Sequence, residues 1–227
     1  MAYLLHIEST STVCSVSVSE NNTLLAVKEI NDGFTHAENL HIFIQDVLQQ
    51  VGLTLKQLQA ISISSGPGSY TGLRIGFASA KGLAYALNIP LIKVDTLQSL
   101  SRCVIERINK DAYYCPLIDA RRMEVYYAIH NLELNEIRVP ANLVLSESAV
   151  SIFDLDKDIY FFGDGLEKSK IILSQLKRAH FIENIVPSSN NLISLAFDKF
   201  LKNEFEGLAY TEPFYLKDFY FTTPSNK

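Results

Sequence analysis

Two acids and one glycine-rich turn are the residues of this chain whose types and positions could do chemistry. Glu8 ends the apolar run Tyr3 to Ile7, and Asp119 ends a second one at Ile118. Acids at strand ends are where two-lobed phosphotransferases hold magnesium or a water through carboxylate oxygens, although a solvated loop acid is the commoner reading of each. The turn is Gly66-Pro67-Gly68, set between the apolar run Ala60 to Ser64 and a helical pattern from Thr71. Its glycines free the backbone to approach a ligand, and the helix behind it offers unpaired N–H groups and the positive end of its dipole. The nucleotide-binding P-loop, however, needs Gly-Lys-Ser/Thr after four spacer residues, whereas Lys81 lies between Ala80 and Gly82. The glycine spacing does not fit a dinucleotide motif either, so a tight structural turn is expected.

The remaining clusters point to less. His36 and His41 lie five positions apart on a predicted helix, which rotates them by about 140°, so they cannot share a metal as histidines four apart would. Asp119-Ala120-Arg121-Arg122 gathers an acid and two guanidinium groups at one turn, where a local ion pair is expected. Gly163-Asp164-Gly165 reads as a strand-to-helix turn with a capping acid, and no Gly-x-Ser-x-Gly elbow is present.

These residues need elements to hold them. Tyr3 to Ile7, Val13 to Ser19 and Leu24 to Ile30 read as three consecutive antiparallel strands. Thr35 with Glu38 makes a capping box ahead of a helical stripe from Leu40 to Val51, and Thr54 with Gln57 repeats the signal. Ile61 and Ile63 alternate with serines as a strand, and Leu91 to Val94 follow as another. From Thr71, steps of about 100° put Gly72, Leu73, Gly76, Phe77, Ala80, Leu83, Ala84 and Leu87 on one face suited to cover a sheet. The opposite side carries Ile75, Ala78, Ser79, Gly82 and Ala86, all apolar or small, with Arg74 and Lys81 between the two. Each glycine here costs roughly 0.5–1 kcal/mol relative to alanine, so something should approach this backbone closely. Two readings stand: a helix sandwiched inside its own chain, or a small-residue surface for another helix.

A helix is expected from Thr96 to Ile108, and then the opening pattern recurs. At an offset of 111 residues Ile7-Glu8 aligns with Ile118-Asp119, each followed by a short turn and a returning strand, the second from Met123 to His130. Two lobes that each begin strand, acid, turn, strand suit a duplicated α/β architecture. Further strands are expected at Ile159 to Phe162 and His180 to Ile182, and helices at Leu166 to Leu176 and Asn190 to Lys202. The aromatic tail Tyr210 to Phe221 should strap across the body before fraying at Thr222 to Lys227. At 227 residues the chain has room for two lobes, taken as 1–100 and a smaller 101–227 with a returning helix and the tail. A net charge of −5 with no basic run argues against autonomous binding to a nucleic-acid backbone. Met1-Ala2-Tyr3-Leu4-Leu5 has neither a basic start nor a cleavage site, and no apolar run approaches a membrane span, so a soluble cytoplasmic chain is expected. Cys14, Cys103 and Cys115 read as buried thiols.

Ser65-Gly66-Pro67-Gly68-Ser69-Tyr70-Thr71-Gly72-Leu73-Arg74-Ile75-Gly76, running into Ala80-Lys81-Gly82-Leu83-Ala84, closely resembles the signature of the TsaB (YeaZ) family. Ile7-Glu8-Ser9-Thr10, the helix start His36 to Leu40, Asp119-Ala120-Arg121-Arg122 with Glu124-Val125-Tyr126, and Tyr215-Leu216-Lys217 match its other landmarks in order. The family usually has Asp at the position of Glu8. The resemblance implies a two-lobed actin-like and Hsp70-like α/β fold with a duplicated unit and a reduced second lobe. It also implies an accessory, non-catalytic subunit in the synthesis of threonylcarbamoyladenosine beside the tRNA anticodon. The catalytic work would fall to a paralogue, TsaD, which carries a metal-binding histidine pair. An ATPase, TsaE, would join the assembly, with tRNA engaged only through the complex and no membrane contact. The helices His36 to Val51 and Thr71 to Leu87 would form the partner surface, through Ile75, Ala78, Ser79, Gly82, Tyr85 and Ala86 with His36 and Leu40, and the chain alone would pair with a second copy there. Glu8, Ser9, Gly66, Gly68 and Asp119 would remain as a vestigial nucleotide or anion site. No cofactor is expected in the isolated chain, with ATP or ADP possible in the complex. The rival readings are a small actin-like ATPase or phosphotransferase using Glu8, Asp119 and the glycine turn, and a glycoprotease-like metallopeptidase.

Overall fold

The computed structural model describes residues 1–33 and 35–217. Its first sheet joins β1 (Tyr3–Glu8), β2 (Val13–Glu20), β3 (Thr23–Asn31), β4 (Ala60–Ser64) and β5 (Leu91–Val94) in the order β3-β2-β1-β4-β5. Short turns leave β1, β2 and β3 only the antiparallel option, and β4 and β5 add in parallel because each follows a crossover helix. The crossovers are α1 (His36–Gln50) and α2 (Tyr70–Leu87). Successive strand residues face opposite ways. Leu5 and Ile7 therefore enter the core under α1 and α2, while Leu4 enters a second core behind the sheet.

The second sheet repeats this plan. It contains β6 (Tyr113–Asp119), β7 (Glu124–His130), β8 (Glu136–Val144), β9 (Ile159–Phe162) and β10 (Ala179–Ile182), ordered β10-β9-β6-β7-β8 with the same directions. The offset that aligns Glu8 with Asp119 is the trace of this repeated unit. Only the crossovers differ: a 3₁₀ turn, Glu147–Phe153, replaces α1, and α4 (Leu166–Leu173) replaces α2.

The outer faces are covered by exchange. After β5 the chain forms α3 (Thr96–Ile108), which packs Leu97, Leu100 and Val104 onto Tyr114, Ile118 and Ala128 of the second sheet. After β10 it returns through the 3₁₀ turn Ser189–Leu192 and α5 (Ile193–Leu201), which lay Leu192, Leu195 and Ala196 on Leu4, Ala60 and Ile92 of the first. Arg102 on α3 meets α5 through Ser194 at 3.3 Å and Asp198 at 3.2 Å, so the two exchanged helices touch.

Several local expectations change. Thr54 and Gln57 do form a capping box, but Thr35 and Glu38 do not. Thr35 sits at φ −92°, ψ 17°, its hydroxyl caps nothing, and its buried Oγ1 has no partner. β8 and the 3₁₀ turn after it are additions. The helix expected from Leu166 stops at Leu173, and the one expected from Asn190 opens as a 3₁₀ turn. The tail does cross the body: the Phe214 N–H donates to the Ser65 carbonyl at 2.7 Å, Lys81 to the Thr211 carbonyl at 3.1 Å, and the Tyr215 ring lies 5.1 Å from that of Tyr70. Its expected continuation over 218–227 lies outside the described residues. Cys14 and Cys115 are buried, Cys103 is partly so, and all three are free. Among the described residues no helix is long and apolar enough to cross a membrane.

Candidate functional site

Each sheet ends in an acid, and the two acids live in different surroundings. The Glu8 side chain is fully buried. Its Oε1 accepts both the N–H and the hydroxyl of Thr10, at 2.6 and 2.5 Å. Among the described residues its Oε2 has no hydrogen-bond partner, and neither has the hydroxyl of Ser64. Burial raises the Glu8 pKa against the bonds from Thr10, and the charge of Asp164 pushes the same way as burial. Asp119 is half-exposed, lies 2.5 Å from Lys168 Nζ, and accepts the Arg121 N–H at 2.7 Å.

The glycine turn faces protein. The Ser69 N–H donates to the Thr10 carbonyl at 2.6 Å, and the Gly66 N–H to Thr96 Oγ1 at 3.0 Å. A Cβ at Gly68 would sit 2.3 Å from the Thr10 carbonyl oxygen, one at Gly72 2.0 Å from that of Ser9, and one at Gly76 2.2 Å from Ser9 Oγ. Ser9 Oγ in turn donates to the Gly72 carbonyl at 2.9 Å. These glycines therefore let the first two turns of α2 rest on the β1–β2 turn. On the side where a Cβ would lie, Gly68, Gly72 and Gly76 face Ser9 and Thr10, so their lack of a side chain is explained by contacts within the chain.

Asp164 was missed as a site residue. It reads as a helix cap in the sequence, yet its Oδ1 accepts the Asp119 N–H at 2.9 Å, and burial brings its carboxyl up to about 6. The repeat holds the signal that finds it: Gly163-Asp164-Gly165 follows β9 as Gly66-Pro67-Gly68 follows β4. Gly163 has φ +112°, and a Cβ there would lie 2.2 Å from the Leu117 carbonyl oxygen. The fold thus connects Glu8, Asp164 and Asp119 electrostatically. His36 is buried with Nε2 on the Ser11 carbonyl at 2.9 Å, and His41 is exposed with Nε2 3.4 Å from Ser79 Oγ. Among the described residues no three His, Cys, Asp or Glu side chains are disposed to hold a metal.

The other candidate surface is the outer side of α2. Gly72, Leu73, Gly76, Phe77, Ala80 and Ala84 are buried against the sheet, as the helical spacing predicts, and Leu83 and Leu87 are half-buried. On the far side Ala78, Gly82 and Ala86 are exposed, Ile75 and Ser79 half-exposed, and Tyr85 is 81% exposed. The sandwiched reading is therefore wrong for the single chain. Among the described residues outside its own helix turn nothing lies within 4 Å of a Cβ built at Gly82, in contrast to Gly72 and Gly76. α1 lies alongside, and its contribution needs correcting. Leu40 is fully buried and His36 nearly so, because both point into the core, and the outward residues of α1 include Glu38, His41, Ile42 and Gln45.

Comparisons with known proteins agree with this architecture. Residues 33–139 match the family described as TsaD, tRNA N6-adenosine threonylcarbamoyltransferase. The chain is 26% identical over 226 residues to the tRNA threonylcarbamoyladenosine biosynthesis protein TsaB of Escherichia coli strain K12, covering 95% of this chain and 94% of that protein. To the protein of the same name from Bacillus subtilis strain 168 it is 27% identical over 163 residues, 70% of each. Its structure superposes on YeaZ from Pseudomonas aeruginosa with a TM-score of 0.79 at 26% identity, over 95% of this chain and all of that one. Component A of the (R)-2-hydroxyglutaryl-CoA dehydratase of Acidaminococcus fermentans shares the fold alone, at a TM-score of 0.55 and 9% identity over 90% of this chain and all of that one. The duplicated sheets with exchanged helices are the two-lobed actin-like fold with a reduced second lobe, and on this fold, these relatives and the glycine-turn signature the chain is similar to the TsaB (YeaZ) proteins over nearly its whole length.

Proposed function

We propose that this chain acts in tRNA threonylcarbamoyladenosine biosynthesis as a non-catalytic subunit that docks a TsaD-like catalytic paralogue. The observation that carries this reading is the outer face of α2, where Ala78, Gly82 and Ala86 are exposed beside Tyr85 and only small side chains separate an incoming helix from the backbone. Small residues let two helix axes approach closely, and an exposed aromatic beside them supplies the buried area that anchors such interfaces. The acids support the same reading, since Glu8 is sealed under Thr10 and the glycine turn rests on Ser9 and Thr10. The catalytic step, any ATP or ADP bound in the complex, and a TsaE-like ATPase then belong to the assembly, and a free chain pairs with a second copy through the same face.

The test is co-elution of the chain with its TsaD-like paralogue on size exclusion, alongside Ala78→Arg and Gly82→Arg. A bulky charge on the small face should weaken association by at least about 100-fold, or roughly 2.7 kcal/mol, with the circular dichroism spectrum unchanged. Wild-type affinity in both variants would sink the proposal.

A further inference from the structure

Among the described residues, the loop between β6 and β7 carries two arginines that no carboxylate pairs within ion-pair distance. It is closed by the Ala120 N–H on the Glu124 carbonyl at 3.1 Å and by the Glu124 N–H on the Arg121 carbonyl at 3.2 Å. Four basic residues surround it. Lys168 neutralises Asp119, and Lys217 neutralises Glu124. Arg121 and Arg122 are exposed, and among the described residues neither guanidinium has a carboxylate within ion-pair distance or a side-chain hydrogen bond. Both also occupy left-handed backbone, at φ +65° and +45°. That conformation costs a side chain bearing a Cβ roughly 1–2 kcal/mol, and Asn or Gly takes it more easily. The loop is tied to the docking helix by the tail: Tyr215 packs on Tyr70 at the start of α2, and two residues later Lys217 pairs with Glu124 at the start of β7.

We infer that Arg121 and Arg122 form a phosphate hook through which the assembled complex holds the backbone of its RNA substrate. The inference rests on the function proposed above. Two exposed arginines in succession, without an ion pair among the described residues, suit phosphodiester oxygens, since each guanidinium presents a planar fork of donors. Two phosphate contacts are too few to hold RNA by themselves in a chain of net charge −5. They add to a surface completed by the partner, which reconciles the basic loop with the acidic composition.

The experiment compares wild type with the double variant Arg121→Asn, Arg122→Gly, which suits the left-handed backbone and deletes both charges. With the chain assembled on its TsaD-like paralogue, tRNA affinity is measured across salt concentrations. The variant should bind about tenfold more weakly near 0.15 M salt, and the slope of log K against log salt should fall by roughly 1.5. Its melting temperature should be unchanged or higher. An unchanged affinity and slope would overturn the inference. So would loss of assembly, which would make the arginines a protein contact, or a drop of several degrees in melting temperature, which would make them structural. If wild type itself does not assemble with the paralogue, the functional reading has failed, and the hook is tested on the isolated chain at about 0.02 M salt, where weak tRNA binding should be present in wild type and absent in the variant. Equal binding there would also overturn it.

Discussion

The two lobes repeat one another strand for strand, in order and direction, yet α2 runs for 18 residues where α4 runs for 8. Both helices cover their sheets, and Leu166 and Leu173 of α4 are as buried as Leu73 and Phe77 of α2. Their outer sides diverge. α4 places Glu167, Lys168 and Lys170 among its eight residues, the pattern of a solvated surface. α2 shows two charges in eighteen and a far side of alanines, serine and glycine beside Ile75 and Tyr85. The comparison separates two tasks within one unit. The sheet and the inner helix faces carry the fold, while the extra length and outer side of α2 supply the surface proposed above for a partner.

The largest predicted effect tests the part the lobes share. Gly163→Ala forces a Cβ into left-handed backbone and to 2.2 Å from the Leu117 carbonyl oxygen, and Gly72→Ala puts one 2.0 Å from that of Ser9. Backbone contacts cannot yield as a flexible side chain does, so each should cost about 3–4 kcal/mol or more. In a chain of this length that corresponds to a melting temperature lower by roughly 6–16 °C. A drop of only a degree or two in either would mean that the turns after β4 and β9 are looser than the shared architecture requires.

This shared architecture was largely legible. The spacing of Leu73, Phe77, Ala80 and Ala84 reflects a helix with one face buried, and burial writes a period into the sequence, while the recurrence of an acid after Ile7 and Ile118 reflects the repeated unit. β8 was not legible, because an edge strand with exposed Ile137 and Val139 and a central Pro140 has no clean alternation to read. Asp164 was missed because its partner, the Asp119 amide, lies 45 residues away, and only strand pairing brings them together. His36 and Leu40 were placed on the partner surface by the resemblance, and the chain buries both, Leu40 within the apolar stripe that its spacing marks.

Next in size is the contrast between the helices' outer sides. Gly82→Arg should weaken the paralogue complex at least about 100-fold, whereas Ile171→Arg on α4, at a side chain 82% exposed, should leave it within about twofold. Equal losses would remove the distinction between the lobes, because exposure alone would then predict the effect.

A smaller effect separates the two acids. Burial raises the Glu8 pKa above 4.5. A carboxyl raised on folding favours the native state while protonated, below its unfolded pKa, and that contribution is lost as pH rises through the folded value. Glu8→Gln should therefore leave stability near pH 4 unchanged and raise the melting temperature at pH 7.5, since an amide keeps an oxygen for Thr10 and brings a donor towards Ser64. Asp119→Asn, at a half-exposed side chain paired with Lys168, should change stability by less than about 1 kcal/mol at either pH. A similar pH-dependent gain from both variants would show that the burial of Glu8 does not distinguish the lobes.

The smallest effect has the sharpest sign. Gly82 is exposed in mid-helix with nothing within 4 Å of a Cβ. Within the isolated chain, alanine there should therefore be better than glycine by roughly 0.5–1 kcal/mol, by lowering the backbone entropy lost on folding. Denaturant unfolding of a chain held monomeric by dilution should show that gain in Gly82→Ala. A single methyl also stands between the α2 backbone and any helix packed against it, so the same variant should associate more weakly with the paralogue by a few-fold. Opposite signs in the two measurements would mark a glycine kept for an external contact, as Gly72 and Gly76 serve an internal one. A gain in stability with no change in association would leave Gly82 without a role at the interface, and would move the close approach toward Ala78 or Ala86.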